Sequence, residues 1–181
     1  MDNFLPHTRN SKAGSQAWEP VVGAYFAVYL MPPTGVSDAT ILTEHVKSIG
    51  GLFINPSEDA IEQQFQQAKR SYAGANANTT YDIEIVFSMN LNDANDNYVH
   101  RIIMEWSRKK WDERTGRRGL KKDYMGQIVG VKYNRDGSIY QQRTACQAWP
   151  KGDIPDLNGD YSAADPQDLT ITFRADWVED L

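Results

Sequence analysis

The sequence predicts an α+β fold: an antiparallel β-sandwich or open β-barrel with one flanking α-helix. Three observations point there. Residues 81–91 and 169–177 alternate apolar and polar side chains with period two, Asp136-Gly137 separates two further extended runs, and one amphipathic helical stripe lies between. Strands, one helix and strands again, without β-α-β repetition, indicate an antiparallel sheet rather than a parallel one.

The first twenty residues are polar and contain Gly and Ser, so residues 1–20 are expected to form a flexible arm unless a partner holds them. Residues 21–181 show no internal repeat and no linker and are expected to form a single domain. Val22, Ala24, Phe26, Val28 and Leu30 alternate with Gly23, Tyr25, Ala27 and Tyr29, a strand whose second face is aromatic. Pro32-Pro33 stops it, because consecutive prolines cannot donate to a ladder.

Residues 37–80 fit two patterns. Ala60, Ile61, Gln64, Phe65 and Ala68 form a helical stripe between Pro56-Ser57 and Gly74, while Ile61, Gln63, Phe65 and Gln67 fit an extended strand. The helical spacing is the slightly better match.

The clearest strand follows, with Tyr81, Ile83, Ile85, Phe87, Met89 and Leu91 on one face and Asp82, Glu84, Ser88 and Asn90 on the other. Residues 92–97 offer several N-caps for a helix whose stripe is Val99, Ile102, Ile103 and Trp106, opposite Arg101, Glu105, Arg108, Lys109 and Asp112. Thr115-Gly116 is expected to end it. Residues 125–134 and 138–149 then form a hairpin around Asp136-Gly137, where both turn residues can take positive φ, and Pro150 closes the second strand. In the last strand Leu169, Ile171, Phe173, Ala175 and Trp177 alternate with Thr170, Thr172, Arg174 and Asp176.

A chain of 181 residues, 40% hydrophobic and 11% aromatic, is long and apolar enough for a packed core. No run approaches the ~20 apolar residues that span a bilayer, so membrane insertion is not expected. The opening residues lack a basic start and an apolar stretch, which makes synthesis and use in the cytosol the default. The lone Cys146 cannot form an internal disulfide and fits a small core position.

No catalytic constellation can be read. His7, His45 and His100 are far apart and lack a partnered nucleophile or carboxylate motif. Arg117-Arg118-Gly119 and Gly126 do not have phosphate-loop spacing. Asp153, Asp156, Asn158 and Asp160 resemble a calcium loop, but Gly159 is the fourth residue from Asp156 rather than the sixth, and Gln167 stands where a bidentate Glu belongs. No enzyme activity, metal or cofactor is therefore expected. Trp106 and Trp111 are expected to anchor packing.

Charge is segregated. Arg114, Arg117, Arg118, Lys121 and Lys122 cap a basic window, residues 101–122, whose only acids are Glu105, Asp112 and Glu113; the net charge of −5 leaves the rest of the chain strongly acidic. Lys/Arg clusters suit phosphates, so a nucleic-acid-binding module is one alternative. Self-association of unlike patches is the better fit to an acidic chain.

The strand at 81–90, the helix reaching Glu105-Trp106, the strand from Tyr140 to Trp149-Pro150 and the closing Leu169-Thr-Ile-Thr-Phe-Arg-Ala-Asp-Trp177 occur in this order across residues 21–181. Together they resemble the tail tube proteins of T4-like contractile phages, relatives of type VI secretion inner-tube proteins. The resemblance implies a structural subunit of stacked, hexameric rings whose sheets join into a continuous barrel, the hollow conduit for DNA inside a contractile sheath. It implies sheath, baseplate or initiator, and tape measure proteins as partners, and a virion tail assembled in the host cytoplasm. A type VI or extracellular injection system is the alternative within the class.

The resemblance also implies that residues 66–74 are extended and lie at an inter-ring contact, so Lys69, Arg70 and Tyr72 join Arg114, Arg117, Arg118, Lys121 and Lys122 as candidate inter-subunit contacts. Family lumens tend to be acidic, which makes Asp82, Glu84, Ser88, Asn90, Thr170, Thr172 and Asp176 the candidate lumen-facing residues.

Overall fold

A computed structural model describes residues 23–36, 39–54, 58–65, 68–77, 80–89, 98–155 and 167–180. Its strands are β1 (Phe26–Met31), β2 (Val46–Gly50), β3 (Glu58–Phe65), β4 (Ala68–Ala77), β5 (Tyr81–Ser88), β6 (Trp111–Asp112), β7 (Arg117–Arg118), β8 (Gly126–Tyr133), β9 (Ile139–Pro150), β10 (Asp168–Ala175) and β11 (Trp177–Asp180). The helices are α1 (Ala39–Glu44), α2 (Tyr98–Lys110) and α3 (Lys121–Tyr124). Residues 1–22, Asn90, Leu91, the N-cap candidates at 92–97 and the calcium-like residues 156–160 lie outside the described residues.

Seven strands form one antiparallel sheet in the order β1-β8-β9-β10-β5-β2, with β11 also paired to β9. It folds over on itself at β9. Residues 143–146 of β9 pair with β11, and Trp149 and Pro150 pair with Arg174 and Phe173 of β10, so β9 runs from one layer into the other. We call the layer of β1, β8, β9 and β11 the aromatic sheet, and the layer of β10, β5 and β2 with the end of β9 the charged sheet.

The fold-over is built from two facing kinks. Gln147 has φ 55, the one positive φ among described non-glycine residues, and the β8–β9 register slips between Gly126↔Ala148 and Ile128↔Ala145, the mark of a bulge. Across the ladder, Asp176 interrupts β10 and β11. Each kink reverses which side faces inward. Ala148 and Ala175 are fully buried in the core, whereas Cys146 and its partner Trp177 face outward on the aromatic sheet. The alternation of the last strand therefore holds from Leu169 to Ala175 and fails at Trp177, which is 40% exposed. Cys146 is buried, but under that outer layer rather than in the core.

Between the layers lie Val28 and Leu30 from β1, Ile83, Ile85 and Phe87 from β5, Ile128 from β8, and Leu169, Ile171 and Phe173 from β10. Helix α2 closes the open side with Val99, Ile102, Ile103 and Trp106, the stripe that its sequence spacing predicts. The Trp106 ring meets Phe173 at 5.4 Å, and its Nε1–H donates to the Tyr124 carbonyl at 2.7 Å, tying α2 to α3.

Several elements differ from the sequence expectation. Residues 58–65 and 68–77 are a β3–β4 hairpin, extended from Ala68 as the resemblance implies and not the helix that spacing alone slightly favours; Gly74 lies inside β4 instead of ending anything, and cross-strand pairing, as in Ile61↔Tyr72, wins over the helical spacing. Helix α2 stops at Lys110, so Asp112 belongs to β6 and Thr115-Gly116 forms the turn between β6 and β7. One-turn helices α1 and α3 accompany the single long one. At the β8–β9 turn only Gly137 takes positive φ, 84°, and its N–H donates to the Asn134 carbonyl at 3.0 Å, while Asp136 accepts from the Ser138 amide and hydroxyl.

Candidate functional site

Three surfaces carry the residues singled out by sequence. The first is the outer face of the charged sheet. Pairing sets Thr172 beside Glu84, Thr170 beside Val86, Asp168 beside Ser88 and Arg174 beside Asp82, so Asp82, Glu84, Ser88, Thr170 and Thr172 share one face as the alternation predicts. Asp176 does not join them; it sits at the kink, ion-paired with Lys121. Asn90 lies outside the described residues.

This face is charge-balanced rather than acidic. Arg174 grips Asp82 with two hydrogen bonds, Nε to Oδ1 at 2.9 Å and Nη2 to Oδ2 at 3.0 Å, and Lys151 Nζ reaches Oδ2 at 2.7 Å. The Arg174 hydrogen bond, helped by Lys151, holds the Asp82 carboxyl below the ordinary carboxylate value. Lys47 pairs with Asp168 at 2.5 Å. Among the described residues Glu84 has no ion pair. Sequence alternation placed Arg174 here, but Lys47 and Lys151 come from β2 and from the loop after β9, and no local pattern predicts their arrival.

The second surface is the basic segment after α2. β6 and β7 form a miniature hairpin in which Trp111 pairs with Arg118, whose guanidinium lies 5.3 Å from the indole centroid. Asp112 organises the turn: its carboxylate accepts from the Thr115 hydroxyl at 2.6 Å and the Arg114 amide at 3.1 Å, and the Thr115 bond lowers its pKa. Trp111 is thus 41% exposed rather than a packing anchor. Arg114, Arg117, Arg118, Lys121 and Lys122 are all exposed. Lys121 is used within the chain by Asp176, whereas Arg117 and Lys122 make no ion pair among the described residues.

A polar cleft runs beside this segment, lined by Arg108, Lys109, Lys110, Glu113, Asp153 and neighbours from α2 and the loop after β9. Its lysines are already engaged. Lys109 Nζ donates to the Thr34 carbonyl at 2.9 Å and Lys110 Nζ to the Pro150 carbonyl at 3.0 Å, where burial lowers the Lys110 pKa and Asp153 partly restores it. These two bonds tie the end of α2 to the loop after β1 and to the end of β9.

The third surface is the β3–β4 hairpin, eight and ten residues long, forming a two-stranded sheet of its own. Lys69, Arg70 and Tyr72 are exposed on β4, and Lys69 pairs with Glu62 across the hairpin. The structure thus divides the candidate contacts between the β3–β4 hairpin and the segment that runs from the β6–β7 hairpin into α3. No group of three or more His, Cys, Asp or Glu among the described residues could hold a metal, and no helix among them is long and apolar enough to cross a membrane.

No family model matches the chain, and no curated protein matches it in sequence. Solved structures do match, along nearly its whole length. A chain of the tube-terminating cap of the anti-feeding prophage superposes with TM-score 0.62 and 16% identity, covering 95% of this chain and 98% of that one. The chain has a tail-tube fold. A chain of the extended sheath–tube complex of the extracellular contractile injection system PVC also gives TM-score 0.62 at 16% identity, with 94% and 97% covered. One from the six-fold symmetrised baseplate of the anti-feeding prophage gives 0.54 at 12%, with 91% and 97% covered.

Proposed function

We propose that this chain is a structural, non-enzymatic subunit of the inner tube of a contractile machine, assembling into stacked hexameric rings that form a hollow conduit inside a sheath. One observation carries the proposal: nearly the whole chain superposes on chains of a tube cap, a sheath–tube complex and a baseplate. The six-fold symmetry of the baseplate neighbour supports the hexamer. A sheet folded over but not closed leaves strand margins for neighbouring copies to complete, and a head-to-tail contact closes into a ring when its rotation allows. In this assembly the partners are further copies, a sheath, a baseplate or initiator and a tape measure protein.

In the same proposal the outer face of the charged sheet, with Asp82, Glu84, Ser88, Thr170 and Thr172, lines the lumen. Its ion pairs leave little net charge to hold a passing polyanion, so cargo slides rather than binds. The β3–β4 hairpin, with Lys69, Arg70 and Tyr72, and the basic segment, with Arg114, Arg117, Arg118 and Lys122, meet adjacent subunits. A free two-stranded hairpin is marginal in water, which supports a partner for β3–β4.

As a phage tail tube, the chain delivers DNA and sits in the virion tail, assembled in the host cytoplasm. The second reading, an extracellular injection system, is favoured by the neighbour from such a system. Adjacent genes separate the two: capsid and terminase genes for a phage, their absence beside sheath and baseplate genes for an injection machine. Negative-stain microscopy of the purified protein, alone and with its baseplate, should show stacked rings; monomers under both conditions reject the tube function.

A further inference from the structure

The strands of the β3–β4 hairpin pair with each other and with no strand of the main sheet, and no other strand or helix packs on them to a comparable extent. No ladder therefore sets the direction in which the hairpin leaves the body; that direction is set where the chain departs. Its N-terminal root is the segment after β2, residues 51–54.

Each residue of this root is held by a different device. Gly51 takes φ 84, and a methyl group on it would collide with the Asp82 carbonyl oxygen, so the chain turns flush against β5. Leu52 is fully buried in the core. Leu52 and the Phe53 ring together fill the space over Gly130 of β8, where an added methyl group would collide with Leu52 and stand 3.1 Å from Phe53. Lys132, also on β8, places its Nζ 4.0 Å from the centroid of the Phe53 ring. The root thus crosses from β5 of the charged sheet to β8 of the aromatic sheet.

Ile54 is where this hold changes character. Its side chain is 63% exposed, so packing does not fix it, but its carbonyl accepts from Arg143 Nη1 at 3.2 Å. The Arg143 side chain is itself only 9% exposed, and Asp180 fixes its guanidinium through Nε at 2.5 Å and Nη2 at 3.3 Å. A planar fork fixed at two nitrogens aims the third. Because the peptide bond is planar, holding the Ile54 carbonyl also orients the bond to the next residue, the one by which the chain departs for β3.

We propose that Arg143 is a positioning residue for the β3–β4 hairpin: by holding the Ile54 carbonyl it presets the direction in which Lys69, Arg70 and Tyr72 are carried before any partner is met. A preset arm loses less conformational freedom on docking than a free one, so the device governs how readily the hairpin docks and not what it docks to. The inference goes beyond the tube function and does not depend on it, since it concerns the isolated chain.

Spin labels at Ser71 on β4 and Thr170 on β10, both exposed, introduced as cysteines into a Cys146→Ala chain, read the hairpin direction as a distance distribution in dilute monomer. Arg143→Met keeps an apolar stem and removes the fork, and the distribution should widen several-fold. Asp180→Asn leaves the Ile54 bond in place and should keep the width of the unsubstituted labelled chain even though it loosens β11. If Arg143→Met does not fold, Arg143→Lys, which retains a cation for Asp180 without the fork, should give the same widening. Widths in the Arg143 variants equal to that of the unsubstituted labelled chain mean that the other contacts of the root suffice, and overturn the inference. Widening in Asp180→Asn as large as in the Arg143 variants means general loosening, and overturns it too. Either result leaves the tube function standing.

Discussion

The indole of Trp106 lies against Gly126: a methyl group built there would stand 2.7 Å from Cζ2 of the ring and 2.5 Å from the Met31 carbonyl oxygen. Helix α2 reaches the sheets through this contact, so the absent side chain of Gly126 sets how closely helix and strand approach. Gly126→Ala should destabilise the chain by about 2 kcal/mol through overpacking. Gly23→Ala, with nothing within 4 Å, should stay within roughly 0.5 kcal/mol. Urea midpoints measure both, and equal midpoints would mean that the helix shifts without strain.

The Asp82–Arg174–Lys151 cluster gives a pH dependence of known sign. Its hydrogen bonds lower the folded-state pKa of Asp82 below the ordinary 3.8, so on acidification the unfolded chain takes up the proton first. The stabilisation is complete well above the unfolded pKa and is lost as pH falls through the lower folded value. Because Asp82 is 43% exposed, screening limits the effect, and Asp82→Asn should cost about 0.5 kcal/mol at neutral pH. The gap between variant and wild type should narrow as pH falls below the ordinary carboxylate value of 3.8. Unfolding curves at neutral and acid pH check it; a gap that widens in acid contradicts the assignment.

The C-terminal strand is pinned by one nearly buried cation. Arg143, its side chain 9% exposed, holds Asp180 through Nε at 2.5 Å and Nη2 at 3.3 Å and donates from Nη1 to the Ile54 carbonyl at 3.2 Å. Asp180→Asn takes the countercharge from a desolvated guanidinium that keeps its bond to Ile54, and the carboxylate side is open to water, so the expected cost is about 1–3 kcal/mol, below that of a fully buried pair. Amide exchange should accelerate in residues 177–180 and stay slow in 168–175. Uniform acceleration through both segments would show one cooperative strand instead.

What the sequence makes legible here is periodicity, and what it hides is where periodicity is broken. The stripe Val99, Ile102, Ile103 and Trp106 and the faces of β5 and β10 emerge as their spacing predicts, because a fully buried side obeys the strand or helix period without exception. Trp177 and Cys146 do not, since facing kinks at Gln147 and Asp176 reverse the sheet, and neither residue announces a kink as a glycine would. Residues 58–77 mislead for another reason: the hairpin stands apart from the main sheet, and its described side chains, Glu62 to Gln64 and Lys69 to Tyr72, are exposed in succession, so burial imposes no strand period on them. Asp176, a candidate for the lumen, and Lys121, a candidate contact, sit on separate polar runs, and their pairing follows from the fold-over alone.

Arg117 and Arg118 offer the sharpest separation of assembly from folding. Both are exposed on β7; Arg117 has no ion pair among the described residues, and the Arg118 guanidinium lies over the exposed ring of Trp111. Replacing both with Glu should leave the urea midpoint within roughly 0.5 kcal/mol of wild type, because no buried group loses a partner. If the segment meets an acidic surface of the next ring, charge reversal turns attraction into repulsion, and tubes should shorten and fall apart at lower salt. Unchanged tube length and salt resistance would remove these residues from the stacking contact. A gel shift with duplex DNA at low salt separates the nucleic-acid alternative, since phosphate binding by this loop would be steeply salt-dependent and abolished by the same reversal.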